Sequence, residues 1–537
     1  MRLLATVLLA LPALAFAQGS LSPAGAPAPS MKTLAQIEPR TPLEDGIPGL
    51  NRETNGGFTI QNPGSYYLTG NLTVPFGTGI AINAGNVTLD LNGFTIASNG
   101  SGSGGTGITT AASASGITIR NGFIRGGASV SRGVFSGVGL LHGINAANSF
   151  NLLVENISVQ GVLGTGITVA SGNGIIRACS ARICGSIGLR ASQVLDSTAL
   201  QCGDTAIYAG TAAPVNEVAV ADGIATNCFG ESLANGRGVF ALTASNCTGV
   251  SESGPGIEAK TATAAYGKST SGPALKAQTV SGCFGTSVSG YGIDCTIASN
   301  SQGYSYYLTG LTAATATNCY GSSNSGWGLY AQNATTCHGA TETGDYGLRA
   351  TDTAESCSGT VTSAPDSVSR SDGAYGLRAL VANNCRGTIT TSVTANIGLR
   401  AENALNCRGE ITTGGAFSIG LKAQNAFNSY GAVPTAGLWS AGMSVDHTAS
   451  NCIGIAGDPD ASYTGQSDVY GLMAQNASGC YGAVVAGTGL QIAKTASYCT
   501  AKNNRNATAL SAAIAIGCTS EKGPIVATRT FLMLDSP

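Results

Sequence analysis

The chain has 537 residues, 43% of them hydrophobic and only 10% charged, with 77 glycines and a net charge of −2. Near-neutral charge argues against a nucleic-acid binder or a basic membrane-surface protein, and the hydrophobic content argues against a disordered chain despite the glycine. The charged fraction lies far below the ~25% of ordinary soluble domains. Such scarcity is expected where equivalent residues stack about 4.8 Å apart, because a repeated charge then meets its own copy.

In chain order, residues 1–17 read as a secretory signal: Arg2, an apolar run over 3–14, then Ala15-Phe16-Ala17 ahead of Gln18. The run is too short to anchor in a bilayer, and no later stretch reaches eighteen apolar residues. The expected location is therefore secreted, extracellular or at the cell surface, with no transmembrane segment. Residues 18–50 form an Ala/Pro-rich linker and lead-in. Strand signals then begin. Val87, Leu89 and Leu91 alternate, Asn92-Gly93 supplies a tight corner, and Gly116-Ile-Thr-Ile-Arg-Asn-Gly-Phe-Ile repeats the same strand, corner, strand design.

The segments PGSYYLTGNLTV, GNVTLDLNGFTI and GITIRNGFIRG resemble the opening coils of exported bacterial right-handed parallel β-helix repeat proteins, the pectate-lyase-like superfold. The resemblance spans roughly residues 55 to 200. It implies a fold and no particular chemistry, since lyases, hydrolases, adhesins and inert scaffolds share that fold.

Further along, one unit recurs: Trp327-Gly-Leu-Tyr-Ala-Gln-Asn-Ala-Thr-Thr-Cys337-His-Gly, and again from Tyr346, Tyr375 and Ile397. Its pattern is Gly-Leu-x-Ala, a polar corner, Ala/Asn-x-Cys-x-Gly, then a Gly/Ser/Thr loop of variable length. Leu329 and Ala331, then Thr335, Cys337 and Gly339, are expected to point inward, giving two short strands per repeat and no helical stripe. A propeller blade needs about twice that many strands. From Cys319 to Cys518 the cysteines recur every 18 to 28 residues, with one double gap where Ser429 takes the slot. The drifting length, confined to one loop, favours an all-β, single-stranded right-handed parallel β-helix of irregular coil length over a strict hexapeptide helix. Residues 51–225 would be less regular coils, 226–520 the cysteine-column coils, and 521–537 a strand closing the open end. Gly303-Tyr-Ser-Tyr-Tyr-Leu-Thr-Gly310 echoes residues 64–70 and predicts a coil of matching shape.

Sixteen cysteines in an exported protein ordinarily imply disulfides. Here their regular slot, shared with Ser429, predicts buried, reduced thiols instead. Cys179 and Cys184 stand outside the spacing and are candidates for a local disulfide. The Asn ahead of these cysteines (Asn227, Asn246, Asn318, Asn384, Asn406, Asn451) is expected at a corner, bonding from coil to coil.

One feature is not required by folding. The exposed position of Gly-Leu-x-Ala runs Tyr330, Arg349, Arg378, Arg400, Lys422, with Arg386 and Arg408 adding charge nearby. Such a row costs stability unless acids such as Asp352 or Glu402, or a bound anion, neutralise it. Guanidinium groups suit carboxylates and sulfates, so the expected partner is an extracellular acidic polysaccharide or cell-surface component. The loops over 358–374 and 453–469 would wall this row. The second carries Asp458, Asp460 and Asp468, oxygen donors suited to Ca²⁺, but no calcium-loop pattern accompanies them and no other metal or cofactor is implied. Paired carboxylates at repeat spacing are missing, and His142, His338 and His447 are isolated. The reading is a non-catalytic scaffold or adhesin. Its alternative is a polysaccharide lyase or glycoside hydrolase acting on uronate-containing glycans, with an unidentified base near the row.

Overall fold

A computed structural model describes residues 40–98, 100, 103–169, 172–211, 222–363, 373–391, 394–457, 468–505 and 507–531. The signal segment 1–17 lies outside the described residues. Among these residues there is no helix, and 52 strands join one hydrogen-bonded sheet wound upon itself. Strands pair in parallel with their counterparts one coil later, as Tyr375–Arg378 does with Ile397–Arg400. The chain is a right-handed parallel β-helix of about 20 turns, the hand that parallel crossovers overwhelmingly take. At its start Leu50–Arg52 runs antiparallel to Phe58–Ile60, and Thr41–Pro42 already pairs with the coil above.

Each coil has three sides where two strands were expected. In one coil they are Tyr375–Arg378, Val381–Asn383 and Arg386–Thr391; in others the first two merge into one bent strand such as Leu329–Thr335. The corner between the second and third sides is sharp because one residue there adopts the left-handed conformation: φ is 54° at Asn384 and Asn406 and 53° at Asn318. Asn tolerates that region better than other side chains, which explains the Asn column. Its amides also bond along the stack, Asn318 Nδ2 donating to Asn300 Oδ1 at 2.7 Å. The same corner corrects the alternation expected before it. Thr336 takes the left-handed turn, so Thr335 faces solvent and Ala334 faces the core.

Inside, Leu329, Leu348, Leu377, Leu399 and Leu421 form a fully buried column beside the alanines and cysteines. Each buried leucine contributes about 2 kcal/mol. All sixteen cysteines are unpaired thiols, fifteen of them buried. The Cys385 thiol donates toward the carbonyls of Asn383 and Ala354, both at 3.2 Å. Cys179 proves to belong to this column, its N–H donating to Ser197 Oγ in the next coil at 3.1 Å, as Cys407 N–H does to Ser429 Oγ. Cys184 lies elsewhere, in register with Cys202. No Cys179–Cys184 bridge forms, because the two thiols occupy different columns.

The glycines of Gly-Leu and of Cys-x-Gly form a seam where the first and third sides touch backbone to backbone. A Cβ on Gly387 would sit 2.1 Å from the Gly398 carbonyl oxygen, and one on Gly376 would sit 2.4 Å from the Thr388 nitrogen. Beyond the seam lies a second, smaller core containing Val361, Ile389, Ile411, Val433 and Val484. In earlier coils the same slot holds Ser251, Ser269, Ser287, Ser305, Ser323 and Thr341, each bracing a turn. Ser287 Oγ donates to Gly272 O at 2.8 Å and accepts from Gly290 N–H at 2.9 Å. This register corrects the expected likeness of residues 303–310 to 64–70. Ser305 fills the slot, so Tyr306, Tyr307 and Leu308 fall on an exposed turn, whereas Tyr66 is buried in a strand. The final strand, Ile525–Phe531, lies as another parallel rung on Leu510–Ile516.

Candidate functional site: a basic groove along one side

The first side displays the row as its spacing predicted. Tyr330 stands opposite Arg349, Arg349 opposite Arg378, Arg378 opposite Arg400, and Arg400 opposite Lys422. Beyond Lys422 the register passes to Ser444 and Met473. Arg349, Arg378, Arg400 and Lys422 line a groove of about 230 Å³, banked by Thr351, Leu380, Glu402 and Gln424, with Asp446 at its far end. Among the described residues no carboxylate makes an ion pair with these four cations, and neither Asp352 nor Glu402 serves as the expected neutraliser. Adjacent cations about 5 Å apart repel by on the order of 1–3 kcal/mol before solvent screening.

Aromatic rings hold the guanidinium groups in place. Trp327, Tyr346 and Tyr375 stand on successive coils, three residues ahead of the row. Tyr346 and Tyr375 stack at 5.2 Å, nearly parallel at 8°, and Trp327 meets Tyr346 edge-on at 5.0 Å. Both tyrosines are buried, packed with Ile397. Arg349 lies over the Trp327 and Tyr346 rings at 5.1 Å each, contacts worth about 0.5–2 kcal/mol apiece. Arg378 Nη1 donates to Tyr346 Oη at 3.1 Å, and Arg400 Nη1 repeats the contact one coil on, donating to Tyr375 Oη at 2.9 Å. The rings orient the cations without cancelling their charge. Sequence reasoning missed these residues. Their signal was three successive aromatics at one motif position directly beside the basic run.

Arg386 and Arg408 do not belong to the groove. They begin the third side, two corners away, where both pair with Glu410. Arg386 Nη2 lies 2.9 Å from Glu410 Oε2, and Arg408 also covers the Tyr430 ring at 4.8 Å. Burial alone would raise the Glu410 carboxyl, but hydrogen bonds and charge from the two arginines outweigh it and hold the group below its usual range. The expectation failed because nearness in sequence crosses two corners of the coil.

The histidines stay apart. His142 Nδ1 accepts from Thr165 N–H at 3.2 Å, and His338 stacks on Tyr320 with Nδ1 2.5 Å from Ser358 Oγ; burial lowers the pKa of both. Asp90 ties the first coils together, receiving Arg40 and Arg120 at 3.2 Å each. Of the two loops expected to wall the groove, 364–372 and 458–467 lie outside the described residues, and the candidate Ca²⁺ ligands Asp458 and Asp460 with them. Among the described residues no group of three or more His, Cys, Asp or Glu side chains could hold a metal, and no helix is long and apolar enough to cross a membrane.

No protein-family profile matches the chain, and no curated protein matches it. Among solved structures the chain is similar to the A-module of a mannuronan C-5 epimerase from Azotobacter vinelandii, at 10% identity over 89% of this chain and 91% of that one, with a TM-score of 0.19. The assignment of the fold rests on the strand pairing itself.

Proposed function

We propose that the protein is an exported, non-catalytic β-helix scaffold or adhesin that holds acidic polysaccharide along the groove of Arg349, Arg378, Arg400 and Lys422. One observation carries the reading: four cations stand in register without ion-pair partners among the described residues, and aromatic rings orient the three arginines instead. Side chains held this way have already lost much of their rotamer freedom, so an anion gains the charge contact at reduced entropic cost. Like-charge repulsion along the row is relieved when carboxylates or sulfates lie between the guanidiniums.

Affinity electrophoresis through gels containing polyuronate or sulfated glycan tests this. The protein is expected to be retarded, and Arg378→Ala with Arg400→Ala together to weaken retardation about tenfold or more. Unchanged retardation of the double variant would remove the groove from the account. The same incubations, followed by ultraviolet absorbance for unsaturated sugar ends and by reducing-end release, report on the lyase and hydrolase alternative. Turnover abolished by the double variant would favour that alternative instead.

A further inference from the structure

Spacing along the groove restricts which acidic glycan fits. The four cations occupy successive rungs, about 4.8 Å apart, so the row spans about 14 Å. It has definite ends. Before Arg349 the register holds Tyr330, then Thr312; after Lys422 it holds Ser444, then Met473, with the Asp446 carboxylate lining the far end. The end nearest Tyr330 is aromatic, Trp327 lying 5.5 Å from the Tyr330 ring. An anion therefore finds four cations on successive rungs against the single carboxylate of Glu402 on the bank, an uncharged surface at one end and a like charge at the other.

From this we infer that the groove reads a run of about four consecutive anionic sugars lying along the helix axis. A chain bearing charge on every residue fits, and one bearing it on alternate residues does not. This deepens the proposed function and rests on it. In an extended 1,4-linked chain each sugar advances by about one rung. A carboxylate on every ring keeps pace with the guanidiniums, and the long Arg stems reach either edge of the chain. A chain charged on alternate rings leaves about half of the braced cations facing neutral sugar, and their mutual repulsion stays unrelieved. Neutral rings continuing past Arg349 meet the uncharged edge formed by Tyr330 and Trp327.

Calorimetric titration of the full chain with size-defined oligouronates, from one to eight residues, tests the inference. Affinity is expected to rise about threefold per added uronate up to four or five residues and then level off. An alternating uronate–hexosamine oligomer of equal length, carrying half the charges, should bind at least tenfold more weakly than the homo-oligouronate. Lys422→Gln should shorten the rise by one residue. Three results would overturn the inference: affinity independent of length, affinity still climbing at eight residues, or equal binding of the alternating oligomer. Any of them would leave the acidic-glycan reading standing, provided that Arg378→Ala with Arg400→Ala still weakens retention. If no acidic oligomer binds at any length, both readings fail together.

Discussion

At the scale of single residues, Tyr346 and Tyr375 act through the arginines they brace. Tyr375→Phe removes one hydrogen-bond acceptor from Arg400 and keeps the ring. It is expected to weaken polyuronate retention about three- to tenfold, in line with about 1 kcal/mol for such a bond, while thermal unfolding moves little. A large fall in melting temperature with retention intact would show the hydroxyl to be structural only. Glu410 obeys a different logic. Its carboxyl is held below the usual range in the folded protein, so the stabilisation it brings is present above the ordinary carboxylate pKa of about 4.3 and is lost as pH falls through the lower folded value. Glu410→Gln should therefore lower stability at neutral pH by about 1 kcal/mol, given half-exposed arginine partners. The gap from wild type should close in acid, as chemical denaturation at several pH values would show. Retention on acidic glycan should not fall, since the pair lies outside the groove.

At the scale of the repeating element, the corner, the seam and the cysteine slot are one device. A left-handed residue turns the chain, the next residue tucks its thiol inward, and the glycine two positions past the thiol lets two backbones touch. Thiols fit because the slot is small and offers carbonyl acceptors, which a serine there also uses, Ser429 Oγ donating to Phe427 O at 2.8 Å. Burial pushes the Cys179 and Cys295 thiols up to about 12, so their reactive thiolate is scarce at pH 8. Alkylation of folded protein at pH 8 is expected to modify few cysteines, and alkylation after unfolding without reductant to modify most of the sixteen. A majority blocked after unfolding would mean that neighbouring coils are cross-linked.

At the scale of the whole molecule, the solenoid turns a local motif into a line of charge. Guanidinium groups keep their charge across the physiological range, whereas uronates protonate near pH 4. Glycan retention should be level from about pH 5 to 9, disappear as pH falls through the ligand's own pKa, and weaken steadily with salt as screening shortens. Retention that changes midway between pH 6 and 8 would point to a histidine instead of the row.

Much of this was legible beforehand. Period-two alternation, the recurring Gly-Leu-x-Ala and the cysteine spacing determined the rungs, and stacking rungs in register places Arg349, Arg378, Arg400 and Lys422 in one line without further information. The corner asparagines were legible for the same reason, since the left-handed region selects the residue locally. Tertiary structure decided what meets across coils and across corners. Tyr346 reaches Arg378 over 32 residues and Tyr375 reaches Arg400 over 25, separations set by loops of unequal length. Arg386 lies only eight positions past Arg378, yet two corners carry it to another side and to Glu410. Periodicity reports which face a residue takes on its own strand. Its neighbours on the next strand follow from how far each intervening loop travels before the chain returns.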